Sequence, residues 1–490
     1  PGNQGAVLRG ILNGLPNQFG VPPVEFYQSA GRNTYSGIVF SRFVDGKNGV
    51  GELRGQIATS TGAQTAIYSG KCPKGYNNIV GWDTTKRKQA SEFKANKAPL
   101  LVSTKAFGMG IDKPNIRYTV HCGMPGSLEA FYQEAGRAGR NRDQALCYVI
   151  FSEYDEKLAK RLVDSSSSLE DIRESLTKIQ RDIRDDTSDS LWFHLNSFQG
   201  IELELEEIES MLRQLGDLSQ SRRAQIPFTD QNKSVSQEKA IYRLVQVGVL
   251  SDYEVEYGSK KFIVYVTPFE MNHCLQKILD YVRRSQPGRI KSIERKLETI
   301  PCELSTDGVL KLCRVMIEFL YDVIERSRRR AIQESMELAR YASDDTEFRR
   351  RLLDYLQEGI DATAIQELVD RSGVDFTDWF LLIDKINSPM EAGELRGICI
   401  RFLESYADHP GLLIIRAVTE AMCSDTDETI CYQSLLSAFD LGQERYTLSE
   451  YQVETGLQGV IRIALAKANT LAPSLTYTIN ELRERGRMCA

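Results

Sequence analysis

Five short apolar runs between residues 36 and 150 constrain the fold more than any other feature of the sequence. Each run has the length and the apolar content of a buried strand. They are residues 36–40, 65–68, 99–103, 117–121 and 145–150. Stretches with helical periodicity, roughly 50–60, 84–96 and 127–138, lie between the runs. Strands that alternate with helices predict an α/β domain whose parallel sheet is covered on both faces.

The remaining sequence divides at changes of composition, and 490 residues are enough for several domains. Residues 1–35 are rich in Gly, Pro, Asn and Gln and are predicted to form a leading segment or linker. The α/β domain is assigned to 36–155, and a charged helical connector to 156–233. A helix followed by a hairpin is expected at 234–270. Residues 271–490 show only helical periodicity, which predicts an all-α C-terminal domain.

Charge and hydropathy exclude several classes of protein. The net charge is −6, so any contact with nucleic acid must use local basic patches. No apolar run is long enough for a membrane span, and no secretory signal is visible. We therefore expect a cytoplasmic protein, for which association with a bacterial nucleoid is plausible. The sequence begins with Pro1 rather than Met, and we expect a fragment of a longer polypeptide.

Cysteine and histidine are placed in a way that argues against a metal centre. The ten cysteines are scattered without a Cys-x-x-Cys pair, and the four histidines are far apart. We predict reduced, mostly buried thiols and no metal site.

The loop after the third apolar run has features of a phosphate site. Residues 103–112 contain Gly108 and Gly110, which allow a tight turn and a close approach of the backbone to a ligand. Hydroxyl and backbone N–H donors at such a turn suit an anion. Asp112 could accept from a sugar hydroxyl or position an arginine. Taken alone, the segment is a turn from strand to loop, and phosphate binding is the alternative interpretation.

Two arginines follow about twenty residues later. Arg137 and Arg140 are three residues apart, so on a helical turn they would share a face. Planar bidentate donors suit a polyphosphate, and one of them at the terminal phosphate would offset charge during phosphoryl transfer. The alternative is a pair of surface arginines in weak salt bridges.

In this order after strands, the two segments resemble the RecQ family of superfamily II helicases. Residues 104–112 resemble helicase motif V, and residues 133–140 resemble motif VI. The supporting matches are the motif IV strand at 36–40, residues 68–70, Arg87 and Phe93. The resemblance covers roughly residues 36–155 and implies a RecA-like second motor lobe that works with ATP and Mg²⁺.

The resemblance also implies roles for individual residues. Arg140 would be the arginine finger, and Arg137 its phosphate-sensing neighbour. The residues implied to lie at the nucleotide are Asp112, Gln133, Gly110 and Gly136. Those implied to contact the phosphates of the tracking single strand are Thr104, Lys105 and Gly108. The aromatic residues Phe107 and Tyr132 are assigned to the core, with contact to DNA as the alternative.

Two expected parts of such a motor are missing from the sequence. A first lobe would supply a loop ending in Gly-Lys-Ser/Thr and an acidic box for magnesium. Residues 46–48 and 70–72 lack the hydroxyl after the lysine. We expect the chain alone not to hydrolyse ATP and the first lobe to lie upstream or on a partner chain.

Residues 156–233 contain no cysteine, so a helical segment replaces the four-cysteine zinc module of typical RecQ helicases.

The helix and hairpin at 234–270 resemble a winged helix. Ser234 and Gln237 fit a capping box, and residues 253–257 and 262–266 flank a Gly-Ser turn. A winged helix would bind duplex DNA. The candidate contacts are Lys239, Arg243, Lys260 and Lys261, with Tyr257 as a wedge between base pairs. The alternative is a domain used only for packing, because Glu254 and Glu256 dilute the positive charge.

The C-terminal region has basic runs at 326–330 and 349–351 that indicate either a solvated helix face or a surface for DNA or an acidic partner. Trp379 and Phe380 are expected in a helix core.

Two hypotheses for function remain. The chain is the C-terminal part of an ATP-dependent DNA helicase that unwinds duplex in the 3′ to 5′ direction, or a non-catalytic DNA-binding and assembly module. The intact arginine pair favours the helicase.

Overall fold

The structure, a computed structural model, describes residues 4–76, 81–107, 113–164, 167–179, 184–228, 231–256, 258–301, 305–340, 344–356, 360–423 and 426–488. The chain forms two compact units. The first unit comprises Pro1–Leu195 and Arg328–Arg349, and the second comprises Asn196–Ser327 and Arg350–Ala490. These units divide the chain at other places than the boundaries predicted from composition.

A five-stranded sheet with the order β2-β3-β1-β4-β5 is the centre of the first unit. Its strands are β1 (Ser36–Ser41), β2 (Thr65–Tyr68), β3 (Leu100–Ser103), β4 (Ile116–Cys122) and β5 (Leu146–Ile150). Every neighbouring pair is parallel. The predicted parallel α/β sheet is therefore confirmed, with a strand at each of the five apolar runs.

Helices cover both faces of this sheet. Successive side chains of a strand point to opposite faces. Accordingly, Val39 packs in one apolar cluster, while its neighbours Ile38 and Phe40 pack in another. The helices of this part of the chain are α1 (Gln4–Phe19), α2 (Pro23–Phe26), α3 (Val50–Thr61), α4 (Trp82–Lys94), α5 (Leu128–Ala135), α6 (Glu156–Val163), α7 (Leu169–Thr177) and α8 (Asp186–Ser197).

The prediction of an irregular leading segment or linker for residues 1–35 is wrong for Gln4–Phe19, which forms helix α1. Leu8, Leu12 and Leu15 recur at helical spacing and are buried in the same cluster as Val39. Glycine and asparagine lower the intrinsic helix propensity of this segment. The packing of one apolar face against the sheet outweighs that cost.

The second unit contains an antiparallel sheet with the order β6-β8-β7. Its elements are helix α9 (Ile201–Leu215), β6 (Arg222–Pro227), α10 (Gln231–Val247), β7 (Leu250–Glu256) and β8 (Lys261–Val266). The predicted helix and hairpin are present, with β7 and β8 paired antiparallel. Strand β6 lies within residues 156–233, for which a helical connector was expected, so that expectation is wrong for this part of the segment. Its polar sequence shows little strand signal because only Ile226 of the six residues is buried.

The described residues from 271 onward form helices joined by turns. The bounds are α11 (Met271–Ser285), α12 (Ile290–Glu298), α13 (Thr306–Leu320), α14 (Arg326–Arg340), α15 (Asp345–Leu356), α16 (Ile360–Val369), α17 (Phe376–Asp384), α18 (Pro389–Leu403), α19 (Pro410–Met422), α20 (Glu428–Arg445), α21 (Glu450–Ala466) and α22 (Ala472–Glu484). A π-helical segment, Tyr321–Glu325, joins α13 to α14. Trp379 and Phe380 are buried, as predicted. Within the described ranges, no helix combines the length and apolarity that crossing a membrane requires.

Candidate nucleotide and nucleic-acid site

The described residues of the two predicted functional segments lie at opposite edges of the parallel sheet. In a parallel sheet all carboxyl ends of the strands share one edge, where Thr104 and Lys105 directly follow β3. The arginine segment is held at the other edge, because the Gly139 N–H donates to the Ile116 carbonyl at the start of β4, at 3.0 Å. The neighbouring Arg117 donates to Asn141 at 3.2 Å and thereby fixes the same segment. The fold thus separates Thr104 and Lys105, which were predicted to contact nucleic acid, from Arg137 and Arg140, which were predicted to contact nucleotide.

At the carboxyl edge, Thr104 begins a 3-10 turn that ends at Phe107. The Thr104 N–H donates to the Tyr68 carbonyl at 3.2 Å, and its hydroxyl accepts from the Ala106 N–H at 3.4 Å. Lys105 is exposed. Phe107 is buried, with its ring edge-on to Tyr68, so the prediction that it belongs to the core is confirmed. The turn therefore presents a lysine and keeps its aromatic side chain inside.

Some predicted site residues cannot be placed. Gly108, Gly110 and Asp112 of the glycine-rich loop lie outside the described residues, as does Tyr257 between β7 and β8.

The arginine segment is a series of turns rather than a continuation of α5. Helix α5 begins after Ser127, whose hydroxyl accepts from the Ala130 N–H at 3.2 Å. It ends at Ala135, and Gly139 then takes a φ of +72°, a conformation that favours glycine. As a result Arg137 is only 5% exposed, whereas Arg140 is exposed. The expectation that both arginines share one helical face is therefore wrong.

The two guanidinium groups nevertheless act on each other. Burial lowers the pKa of Arg137, the positive charge of Arg140 lowers that pKa further, and Glu134 opposes the change. A shift caused by a like charge means that the two cations are close. An anion placed between them would relieve this repulsion. The segment thus fits a polyanionic ligand electrostatically, although one arginine is buried and the other is not.

Three residues at the end of α5 and just after it, Tyr132, Gln133 and Gly136, are exposed. Gln133 donates to Glu129 one helical turn earlier, at 3.1 Å. Tyr132 is 50% exposed, so the assignment of this residue to the core is wrong. Gly136 is exposed, and a Cβ at this position would lie 2.9 Å from the Tyr132 carbonyl oxygen. Any larger residue would therefore distort the end of α5.

A buried ion pair that the sequence analysis missed connects α5 to the sheet. His121, near the end of β4, is fully buried, and its Nε2 lies 3.4 Å from the Glu134 carboxylate. Its ring stacks on Phe40 with a centroid distance of 5.0 Å. Burial lowers the pKa of His121, but the contacts with Cys147 and Glu134 outweigh burial and raise the pKa to about 9. A lone histidine in an apolar strand gave no sequence signal of this pairing.

The basic residues of α10 are used inside the second unit. Arg243 Nε lies 3.1 Å from the carboxylate of Glu204 on α9, and Lys239 forms an ion pair with the same carboxylate. Tyr321 donates to Glu204 at 2.7 Å. Arg243 is 9% exposed. The assignment of Lys239 and Arg243 as phosphate contacts is therefore corrected, because both side chains neutralise a buried carboxylate.

The hairpin turn keeps part of its predicted positive charge at the surface. Lys260 is exposed, with a φ of +51°, and Lys261 is paired with Glu256 at 3.2 Å. Strand β7 carries a row of exposed carboxylates on the same sheet, namely Asp252, Glu254 and Glu256. Such charges protect an edge strand from pairing with other chains. Because Glu256 pairs with Lys261, Lys260 is more available than Lys261 for contact with a ligand.

The first basic run of the C-terminal region also has internal partners. Arg329 is buried and donates to the Asp164 carbonyl at 2.9 Å. Arg326 lies 3.4 Å from Asp408. In the second run, Arg350 pairs with Asp354 at 3.0 Å. These contacts favour a structural role for the arginines involved. Among the described residues, no group of three or more His, Cys, Asp or Glu side chains is arranged to hold a metal ion.

Comparison with known proteins finds a family match over the part of the chain that forms most of the parallel sheet. The family of the helicase conserved C-terminal domain matches residues 30–142. These residues are therefore a helicase C-terminal lobe, and they contain strands β1 to β4 of the parallel sheet. The lobe is of the RecQ-like superfamily II type, as its curated relatives indicate.

Three of these relatives carry the assignment. The chain is 37% identical over 99 residues to the ATP-dependent DNA helicase RecQ of Bacillus subtilis, covering 20% of this chain and 17% of that protein. It is 38% identical over 98 residues to the ATP-dependent helicase wrn-1 of Caenorhabditis elegans, covering 20% of this chain and 9% of that protein. It is 32% identical over 116 residues to the probable ATP-dependent DNA helicase RecS of Bacillus subtilis, covering 24% and 22%. The matched part spans less than a quarter of each relative.

A solved structure of Mss116p DEAD-box helicase domain 2 bound to an RNA duplex aligns with 36% of this chain and 70% of that chain. The sequence identity is 14% and the TM-score 0.23, a likeness too low to add to the assignment.

Proposed function

We propose that the chain is the C-terminal part of an ATP-dependent RecQ-like DNA helicase that translocates 3′ to 5′ and unwinds duplex DNA. The observation that carries the proposal is the arginine segment at the amino edge of the sheet. There Arg140 is exposed beside Arg137, within a lobe that matches RecQ helicases. In this proposal the nucleotide lies between this lobe and a first lobe that supplies the Gly-Lys-Ser/Thr loop and the acidic residues for Mg²⁺.

ATP supplies the phosphoryl group whose transfer to water drives the motor. Arg140 offsets the negative charge that develops on that group, and Arg137 interacts with the phosphates from a more buried position. Gln133 and Gly136 lie on the same segment and are proposed to line the nucleotide, together with Gly110 and Asp112. Mg²⁺ would be held mainly by the first lobe.

DNA is proposed to contact the lobe at the carboxyl edge of the sheet. Thr104, Lys105 and Gly108 would bind the phosphates of the tracking strand, since Lys105 is exposed there. The helix and hairpin of the second unit are proposed to act as a winged helix on duplex DNA. Lys260, Lys261 and Tyr257 remain its candidate contacts, whereas Lys239 and Arg243 do not.

The C-terminal helices are proposed to dock a protein partner. Helix α21 exposes Tyr451 and Leu465, which are 76% and 78% accessible. We further propose that the protein works in the cytoplasm, where a bacterial chromosome is available.

The proposal is tested by Arg140→Ala in a polypeptide that carries both motor lobes. DNA-stimulated ATP hydrolysis should fall by about a thousandfold or more, which is the range for loss of an arginine finger. Arg140→Lys should not restore the rate, because an ammonium cannot replace a bidentate guanidinium. Arg142→Ala is the matched control, since Arg142 is an exposed arginine of the same segment.

An Arg140→Ala protein that hydrolyses ATP at the wild-type rate would contradict the helicase proposal. It would favour the alternative, a non-catalytic DNA-binding and assembly module built on a RecA-like domain.

A further inference from the structure

Three aromatic side chains meet beside the carboxyl edge of the parallel sheet. The rings of Phe43 and Phe193 are 5.5 Å apart, and those of Trp192 and Phe193 are 5.2 Å apart. Phe193 is 41% exposed, so part of its ring lies at the surface. We call Phe43, Trp192 and Phe193 the aromatic platform. Its position matters because ligands of open parallel sheets bind outside the carboxyl ends of the strands.

The fold anchors this platform firmly. Phe43 follows β1, and its N–H donates to the Ser41 hydroxyl at 3.1 Å. Arg42, the residue between them, pairs with Asp186 at the start of α8 at 3.1 Å. Asp186 also accepts from the Ser152 N–H at 2.7 Å. These bonds fix the amino end of α8, and therefore Trp192 and Phe193, at the end of β1.

A glycine after β4 makes room for this anchor. Gly123 has a φ of +99°, and a Cβ there would lie 2.5 Å from the carboxylate of Asp186 and 2.8 Å from the Nε of Arg42. A side chain at this position would therefore push α8 away from the sheet. The sequence thus keeps α8 close to the carboxyl edge at the cost of a position that only glycine fills well.

The charges around the platform favour a polyanion over a neutral apolar partner. The Arg184 guanidinium lies 5.6 Å from the centroid of the Trp192 ring. Lys105 is exposed at the end of β3, which is the neighbour of β1 in the sheet. Asp185 and Asp186 are buried and accept backbone hydrogen bonds, so their charge is directed inward. Burial raises the pKa of Asp189 to about 6, although Arg42 opposes the shift.

We propose that unpaired bases of a single nucleic-acid strand stack on the aromatic platform while its phosphates run past Lys105 and Arg184. The inference rests on the proposed function and adds a site that the helicase motifs do not contain, since α8 belongs to the segment without cysteines. Flat rings beside cations are what sequence-independent binding of single strands requires. A protein surface that covers the rings is the competing occupant.

Trp192 provides a direct reporter for stacking. Trp82 is 8% exposed and Trp379 is 1% exposed, whereas Trp192 is only partly buried. Titration of the chain with an oligothymidylate of about ten nucleotides, a length within the usual site size, should quench tryptophan emission. Trp192→Phe should remove the quenching and still bind. An abasic oligonucleotide of equal length keeps the phosphates, so it should bind about tenfold more weakly and cause no quenching.

The contribution of the rings is measured with Phe193→Ala. Loss of one stacked base should weaken binding of the oligothymidylate by about tenfold and leave the affinity for the abasic strand unchanged. Phe193→Tyr keeps a flat ring and should bind like the wild type. Tyr451→Ala, which removes an exposed ring from α21, is the matched control and should have no effect.

Three outcomes would overturn the platform. The first is equal affinity for the oligothymidylate and the abasic oligonucleotide, and the second is an unchanged affinity of Phe193→Ala for the oligothymidylate. The third is self-association of the chain without DNA that shields Trp192 from quenching by iodide. The last result would identify a second copy of the chain as the occupant. Binding is measured without ATP, so failure of the platform is distinguishable from failure of the proposed motor. Arg140→Ala should bind the oligothymidylate normally in either case.

Discussion

Two regions of the molecule carry cations in sequence patterns typical of DNA contacts, and the structure places them differently. Lys105 follows a strand at the carboxyl edge of the first unit and is exposed. Lys239 and Arg243 lie on a helix of the second unit and both pair with Glu204. A helix presents one face to its neighbours, so a basic residue on that face is available for a buried carboxylate. A residue beyond the end of a strand is not constrained in this way.

The largest effect that the comparison predicts concerns Glu204. Glu204→Gln leaves two cations beside a buried, uncharged amide, and should lower the free energy of unfolding by about 3 kcal/mol. Urea unfolding of the second unit measures the change. Glu206→Gln is the matched control, because Glu206 is an exposed residue of the same helix, and should change stability by less than about 0.5 kcal/mol. A Glu204→Gln protein of wild-type stability would show that α10 does not depend on this pair.

A smaller effect is expected from the buried pair of the first unit. The folded-state pKa of His121 is about 9, above its unfolded value, so protonation stabilises the fold fully below pH 6.5. That contribution is lost as the pH rises from 6.5 through 9, and amounts to about 2–3 kcal/mol. The measurement is the difference in unfolding free energy between wild type and His121→Gln at several pH values.

The difference in unfolding free energy between wild type and His121→Gln is used because Lys113 also titrates in this pH range and changes stability in the direction opposite to His121. Burial lowers the pKa of Lys113 to about 8, so its contribution improves at high pH in both proteins and cancels. If the unfolding free energies of wild type and His121→Gln change in parallel between pH 6.5 and 9, the pairing of His121 with Glu134 is contradicted.

The smallest effect separates the two kinds of cation directly. Lys105→Ala should weaken single-strand binding by about threefold to tenfold. It should also reduce the slope of log affinity against log salt concentration by about one, which corresponds to one lost phosphate contact. Lys239→Ala should change the affinity by less than about twofold, since phosphate contacts from that position are not expected. Fluorescence titration at several salt concentrations measures both. A larger loss with Lys239→Ala than with Lys105→Ala would reverse the comparison.

Much of the first unit could be predicted from the sequence for a simple physical reason. Strands buried on both faces of a parallel sheet read as continuous apolar runs, and all five are present. Composition does not predict helix α1, because glycine, proline and asparagine are typical of loops, although its buried leucines follow helical spacing. Strand β6 was missed because its residues are mostly polar and exposed.

The site was predictable in its residue types more than in its geometry. The sequence identifies Arg137 and Arg140, but not that Gly139 turns the chain and leaves one arginine buried. It identifies the basic residues of α10, but not Glu204, which lies more than thirty residues earlier. Partners that are distant in sequence require the fold.

Strand β4 ties the two edges of the lobe together. Ile116 at one end holds the arginine segment, and Gly123 follows the other end next to the anchor of α8. Seven residues in extended conformation span about 23 Å, and a strand flanked by β1 and β5 resists bending. The lobe therefore behaves as a rigid lever. If the proposed function holds, a rotation that begins at the arginine segment would reach Lys105 and the aromatic platform without loss to bending of β4, so the distance moved there would depend on the angle of rotation.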